Sequence, residues 1–184
     1  YALTGHDESS LSDTLTSQIE KENIDIEELN LVTSEAVPDD ANCLMINGPQ
    51  KDITADEKDR ILDYMEKGGH VLIFTDYTET DMPNMAELLN NYGLSTSAGL
   101  IFEGNSQHYY PGYPSYLIPR IQSADAVGSM TSKDLVLMPY AQNINISDDV
   151  RSTVSAQPIL QTSSKSYIKA DLKNLTTTEK ASGD

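Results

Sequence analysis

The sequence predicts an α/β protein: a doubly wound, mostly parallel sheet with helices on both faces, flavodoxin-like or amidotransferase-like and Rossmannoid in plan. Three stretches carry that prediction. Leu44-Met45-Ile46-Asn47-Gly48-Pro49 is an apolar run too short for a helix, closed by a Gly-Pro turn signal. Thr54-Ala55-Asp56-Glu57 opens a helix with the spacing of a capping box, and Gly68 stands where its C-terminal cap falls. Val71-Leu72-Ile73-Phe74-Thr75-Asp76 then returns at once to an apolar run. Strand, helix and strand with short joints imply a right-handed crossover between parallel strands buried on both faces.

The other elements follow in order. Tyr1 to Thr4 reads as the end of a first strand, expected at the centre of the sheet. Leu11, Leu15 and Ile19 recur every four residues and predict a helix over about 10–22, with Asp7, Ser9 and Ser10 as acceptable N-caps. Ile24 and Ile26, then Leu29 and Leu31, alternate in two phases, which predicts a second strand with a bulge or an early end at Glu27-Glu28. Pro83 in a first turn, with Met85, Leu88, Leu89 and Tyr92 on one face and Gly93 to close, predicts a third helix. Leu94 to Phe102 resumes extended. From Glu103 to Pro119 prolines and tyrosines crowd together, and a long irregular surface excursion is expected there. Leu135 to Met138 is a candidate buried strand ended by Pro139, Ile144 and Ile146 alternate like a sheet edge, and Pro158 to Ser163 is a last short strand. The domain reading is one α/β domain over 1–175, with the excursion at 103–119 and a flexible tail at 176–184.

Composition narrows the function classes. The 184 residues suffice for one domain with a full core, and the net charge is −17 with pI near 4.3. Nucleic acid and anionic membrane surfaces need basic patches, so neither is expected as a partner. The single cysteine, Cys43, excludes an internal disulfide or a cysteine-rich zinc site and reads as a buried small side chain at the head of its strand. No apolar run reaches the length of a membrane span. The abrupt opening at Tyr1 reads as a piece of a longer protein, with any membrane anchor outside it.

In a doubly wound sheet, ligands bind beyond the C-terminal strand ends. The residues expected there are Gly5, His6, Asp7, Glu8, Asn47, Gly48, Pro49 and Asp76, with Tyr77 and Thr162 to Ser164 beside them. An imidazole and two carboxylates after a central strand suit divalent-metal binding or acid–base chemistry. The same residues also serve as a turn at Gly5, a helix cap at Asp7 and a packed His6. This plainer reading is preferred, because the spacing falls short of a metal motif. No catalytic residue, metal ligand or cofactor is therefore assigned. Nucleotide-binding glycine patterns and a G-x-S-x-G elbow are missing from the sequence, and His70 and His108 stand alone. Tyr109, Tyr110, Tyr113 and Tyr116 offer apolar faces with polar tips, which suits stacking against a sugar or peptide; the alternative is a loop packed down by its own tyrosines.

Several segments then fall in the order and spacing of one known family. They are Tyr1 to Glu8, Ala41 to Ile53 around Asn47-Gly48-Pro49, Glu57 with Ile61 to Gly69, Asn84 to Gly93, and Leu160-Gln161-Thr162-Ser163. Together they resemble the auxiliary extracytoplasmic domain of GldG-type ABC transport proteins. Tyr1 to Glu8 is similar to that family's fltGHGE opening, with Asp7 in place of the usual glycine, and Tyr167 stands where a tryptophan is common.

The resemblance implies a domain held outside the cytoplasmic membrane of a bacterial cell, between transmembrane segments, working with an ABC permease and an ATPase. It implies no catalytic residue. Gly5 to Glu8 and Asn47 to Pro49 carry over only as signature positions. The function expected is thus a non-enzymatic binding or coupling domain that contacts cargo or a permease partner. Its rival is a hydrolase or amidotransferase-like enzyme using a strand-end cleft around His6 and Glu8, since fold does not decide function.

Overall fold

Residues 1–131, 133–173, 177–181 and 184 are described by the computed structural model, and they divide into two units, 1–88 and 89–184. The first holds β1 (Ala2–Leu3), α1 (Asp13–Lys21), β2 (Glu28–Leu29), β3 (Cys43–Asn47), α2 (Ala55–Glu66) and β4 (His70–Phe74), and α3 (Pro83–Asn90) leads out of it. Its strands are parallel in the order β2-β1-β3-β4, so β1 lies inside the sheet.

Local signals position the pieces around that sheet. Side chains alternate along β3, so Leu44 and Ile46 are fully buried while Cys43, Met45 and Asn47 are half-buried. The α2 start is a complete capping box: Thr54 N–H donates to Glu57 Oε2 at 2.8 Å, and Glu57 N–H donates to Thr54 Oγ1 at 3.3 Å. Ile61 of α2 joins Leu3, Leu29, Leu31, Leu44, Ile46, Ile53, Met85 and Leu88 in one core. The N-terminus of α3 is capped from a distance. Asp52 Oδ2 accepts the Asn84 N–H and Asp52 Oδ1 the Met85 N–H, each at 2.9 Å, which satisfies donors that a helix start leaves unpaired.

The second unit is built from short antiparallel pairs. It holds β5 (Leu94–Thr96), β6 (Leu100–Phe102), β7 (Tyr109–Tyr110), β8 (Tyr113–Leu117), β9 (Arg120–Ile121), β10 (Met138–Pro139), β11 (Ile144–Ile146), β12 (Leu160–Gln161) and β13 (Tyr167–Lys169). β8 lies between β7 and β10, while β5 pairs β11, β6 pairs β13 and β9 pairs β12. Leu100, Ile101, Phe102, Leu117, Ile121 and Tyr167 are its buried apolar residues, and Phe102 stacks on Tyr167 with ring centroids 6.1 Å apart. Gly99 makes the close β6–β13 pairing possible. Its φ is +97°, and a Cβ there would lie 2.1 Å from the Lys169 carbonyl oxygen.

The doubly wound prediction is therefore corrected, for two physical reasons. A second helical layer is not packed down: α1 contains no buried residue, and Leu72 and Phe74 of β4 remain 42% and 45% exposed. Parallel pairing also needs long crossovers, usually helical, and no α-helix follows α3 among the described residues. Beyond β4 every strand pair among the described residues is antiparallel.

Smaller expectations are also revised. Ser12, rather than Asp7, Ser9 or Ser10, caps α1, its Oγ accepting the Leu15 N–H at 3.3 Å. The 103–119 stretch is not irregular but contains the β7–β8 hairpin. Leu135 and Leu137 are exposed, so the candidate buried strand shrinks to β10, where Pro139 sits on an edge strand. Cys43 is half-buried rather than buried. Residues 176, 182 and 183 of the expected tail lie outside the described residues. Within it, Asp184 pairs with Lys169 Nζ at 2.5 Å, and the Tyr167 hydroxyl donates to the Thr178 carbonyl.

Candidate functional site

β1 and β3 are parallel neighbours, so the turns leaving their C-terminal ends emerge side by side. Ser9 N–H donates to the Asn47 carbonyl at 2.8 Å, and Asn47 Nδ2 donates to the Ser9 carbonyl at 2.6 Å. The His6 carbonyl accepts the N–H groups of Gln50 at 2.9 Å and Lys51 at 3.1 Å. Gly48 has φ +60° and gives its N–H to the Phe74 carbonyl, and a Cβ there would come 3.4 Å from Asp76 Cβ. Pro49 is buried beside it, while Asp76 is exposed and its Oδ1 accepts the Tyr77 N–H at 2.7 Å. Gly5 to Glu8, Asn47 to Pro49 and Asp76 thus share one strand-end surface in the first unit. Thr162 to Ser164 belong to the second unit.

His6 is the centre of that surface, and it is buried at 4% exposure. Its Nδ1 lies 3.0 Å from Glu8 Oε1, its Nε2 lies 3.2 Å from Glu57 Oε2, and its N–H donates to Glu8 Oε2 at 2.7 Å. Hydrogen bonding to Glu8 lifts the imidazole above its ordinary value, against the opposing effect of burial and with help from the Glu57 charge. Burial pushes Glu8 upward, but bonds from the His6 ring and backbone outweigh it and hold the carboxyl below its usual range. Glu57 follows the same pattern: burial raises it, and the Thr54 backbone and hydroxyl donors with His6 bring it below. Two carboxylates therefore favour a protonated imidazole between them, and both ring nitrogens are then donors.

This arrangement joins the β1 turn to the α2 start through the buried imidazole. Among the described residues, no group of three or more His, Cys, Asp and Glu is placed to hold a metal ion. Asp7 points away from the node: it is exposed and pairs with Lys51 Nζ at 2.8 Å. Its φ of +56° places it in the left-handed region, which Asp tolerates better than most side chains do.

The second candidate surface lies on β7 and β8. The Tyr110 and Tyr113 rings are 6.0 Å apart, Tyr113 and Tyr116 5.3 Å, and Tyr116 and Tyr140 5.2 Å in an edge-on contact. Tyr110, Tyr113 and Tyr140 are each more than half exposed. Tyr109, opposite Leu117 in the hairpin, lies outside this chain of ring contacts. Tyr140 closes it with φ +56°, a conformation rare for a bulky residue and costing about 1–2 kcal/mol.

The family profile described as an ABC-type uncharacterized transport system matches residues 1–182. The chain belongs to that family. Membership ties it to an ABC-type transport system, in agreement with the GldG-type resemblance. No curated protein matches the chain. A solved structure described as the mmIFT52 N-terminal domain is similar at 15% identity and a TM-score of 0.67, over 90% of this chain and 73% of that one. At that identity the likeness is one of fold.

The segments that carry the resemblance gain physical roles from the geometry. The turn at Asp7 stands at φ +56°, a conformation that the glycine expected there from the resemblance adopts without steric cost. The Thr162-Ser163 segment is held by Glu103, buried at 1%: its Oε1 accepts Ser163 Oγ–H at 2.6 Å and its Oε2 accepts Ser163 N–H at 2.9 Å. Sequence reasoning named Glu57 as a capping residue and as part of the resemblance, and missed its contact with His6. It also missed Glu103 and Tyr140. The capping box was the available signal for a fixed Glu57 carboxylate; the other two lacked one.

Proposed function

We propose that this chain is a non-enzymatic coupling domain of a bacterial ABC transport system, working on the extracytoplasmic face and binding the permease through its strand-end turns. The observation that carries this reading is the family match over residues 1–182. The geometry of the turns supports it: His6, Glu8 and Glu57 fix the backbone of Gly5 to Ser9 beside Asn47 to Lys51, a preformed surface of the kind a partner docks on without reordering. The imidazole engages carboxylates on both sides and is shielded from solvent, which favours a structural over a catalytic part for it. No helix among the described residues is long and apolar enough to cross a membrane.

Co-purification tests the proposal. The intact membrane protein carrying this domain is expected to retain its permease and ATPase in mild detergent. Lys51→Glu and Asp76→Lys, both at exposed positions on that surface, are expected to release them while leaving the fold unchanged. Retention of both partners by both variants, or by a protein lacking residues 1–182, would overturn the reading.

A further inference from the structure

The tyrosines of β7, β8 and the turn after β10 form a surface that the strand-end turns do not account for. We infer that this surface binds an uncharged oligosaccharide laid along Tyr110, Tyr113, Tyr116 and Tyr140. The rings step by 6.0, 5.3 and 5.2 Å in that order and turn by 47°, 40° and 78° from one to the next. They touch one another, and Tyr110, Tyr113 and Tyr140 remain 53–55% exposed to solvent. Apolar faces edged by hydroxyls match a sugar ring, whose C–H face stacks while its rim of hydroxyls bonds.

Charge selects the same class. The chain carries −17, yet residues 104–119 contain no Asp, Glu, Lys or Arg, so a charged ligand finds no opposite charge within that run. The overall negative field further disfavours anions. Hydroxyl chemistry separates a sugar from a proline-rich peptide. The Tyr116 and Tyr140 hydroxyls lie 3.3 Å apart as one donor and one acceptor, so the pair still offers both an O–H and lone pairs outward. Sugar hydroxyls donate and accept, whereas the carbonyls of a proline-rich segment only accept. Tyr140 supplies an independent sign: its ring completes the row although its backbone stands at φ +56°.

The inference names a ligand for the domain proposed above and rests on that reading for its biology, but its test needs no transporter. The protein is titrated with chitohexaose and cellohexaose by calorimetry and by tyrosine fluorescence, which no tryptophan obscures. Saturable binding of at least one sugar is expected, weakened about tenfold by Tyr113→Ala and by Tyr140→Gly. Tyr140→Gly suits the positive φ and should fold at least as well as the wild type, and Tyr92→Phe should bind unchanged. Absence of binding by both sugars, wild-type affinity in both ladder variants, or capture of a proline-rich decapeptide instead of sugar would overturn the inference. A failed sugar titration with intact permease co-purification would remove this inference alone; the reverse pattern would remove the coupling reading alone.

Discussion

Replacing His6 by glutamine is the sharpest probe of the buried node. The wild type holds an imidazole between carboxylates at 3.0 and 3.2 Å, with both side chains nearly dry. Hydrogen bonds to charged groups contribute about 1.5–3 kcal/mol each, and breaking a buried pair costs about 3–5 kcal/mol. Glutamine can remake one neutral bond of about 1 kcal/mol. The net loss is about 3 kcal/mol, which at roughly 2–4 °C per kcal/mol for a chain of this size lowers Tm by about 6–12 °C.

The pH dependence identifies the cause. His6 is raised above 6.5, so its contribution is complete below pH 6.5 and is lost as pH climbs through the folded value. Glu8 and Glu57 are lowered from 4.5, so theirs is present above pH 4.5 and is lost as pH falls through their folded values. The node therefore stabilises most between those limits. Urea unfolding followed by far-UV circular dichroism, run near pH 6 and near pH 9, should show the gap between wild type and His6→Gln shrinking at the higher pH. An equal gap at both pH values, or a loss below about 1 kcal/mol near pH 6, would refute the charged-node account.

Three further outcomes follow from local geometry. Asp52→Ala removes the acceptor for two α3 backbone N–H groups and the Asn84 side-chain amide and should cost about 1–2 kcal/mol in urea unfolding, with Asp52→Asn losing less. Asp7→Gly should raise Tm slightly, since it relieves φ +56° and gives up only an exposed pair with Lys51, whereas Asp7→Val should lower Tm. Gly99→Ala drives a Cβ to within 2.1 Å of the Lys169 carbonyl at φ +97°; it should cost more than about 2 kcal/mol and speed amide exchange at Ile101 and Ile168.

The parts that were legible in the sequence are those whose causes are local. The capping box at Thr54 and Glu57 specifies where α2 begins, and the runs on either side are five-residue strands with a strong alternation or apolar bias. That suffices for the β3–α2–β4 unit and for the meeting of the His6 and Asn47 turns. The second unit lacks such cues. Its strands are two to five residues long, too short to show a period, and their partners lie far along the chain, as Tyr167 opposite Phe102 shows. α1 misled for a related reason: an apolar stripe of Leu11, Leu15 and Ile19 predicts a helix correctly but does not ensure that the stripe is buried, and Leu15 is 41% exposed. The Tyr140 backbone was unreadable because nothing in a tyrosine signals positive φ.

The node shows how a local signal extends to a distant one. Glu57 Oε2 accepts the Thr54 N–H at 2.8 Å and the Thr54 hydroxyl at 2.8 Å, and it also meets His6 Nε2 at 3.2 Å. Its Oε1 is buried with no hydrogen-bond partner among the described residues. An isolated ion pair would share its donors between both oxygens; here one oxygen takes three and the other none. The carboxylate is therefore oriented by the helix start, and His6 approaches an acceptor already in place. Glu8, two residues from His6, supplies the second acceptor from the same turn. On this account the Gly5-to-Glu8 signature and the α2 capping box act as one unit, and the position of the strand-end surface is set by the first turn of a helix 51 residues away from His6.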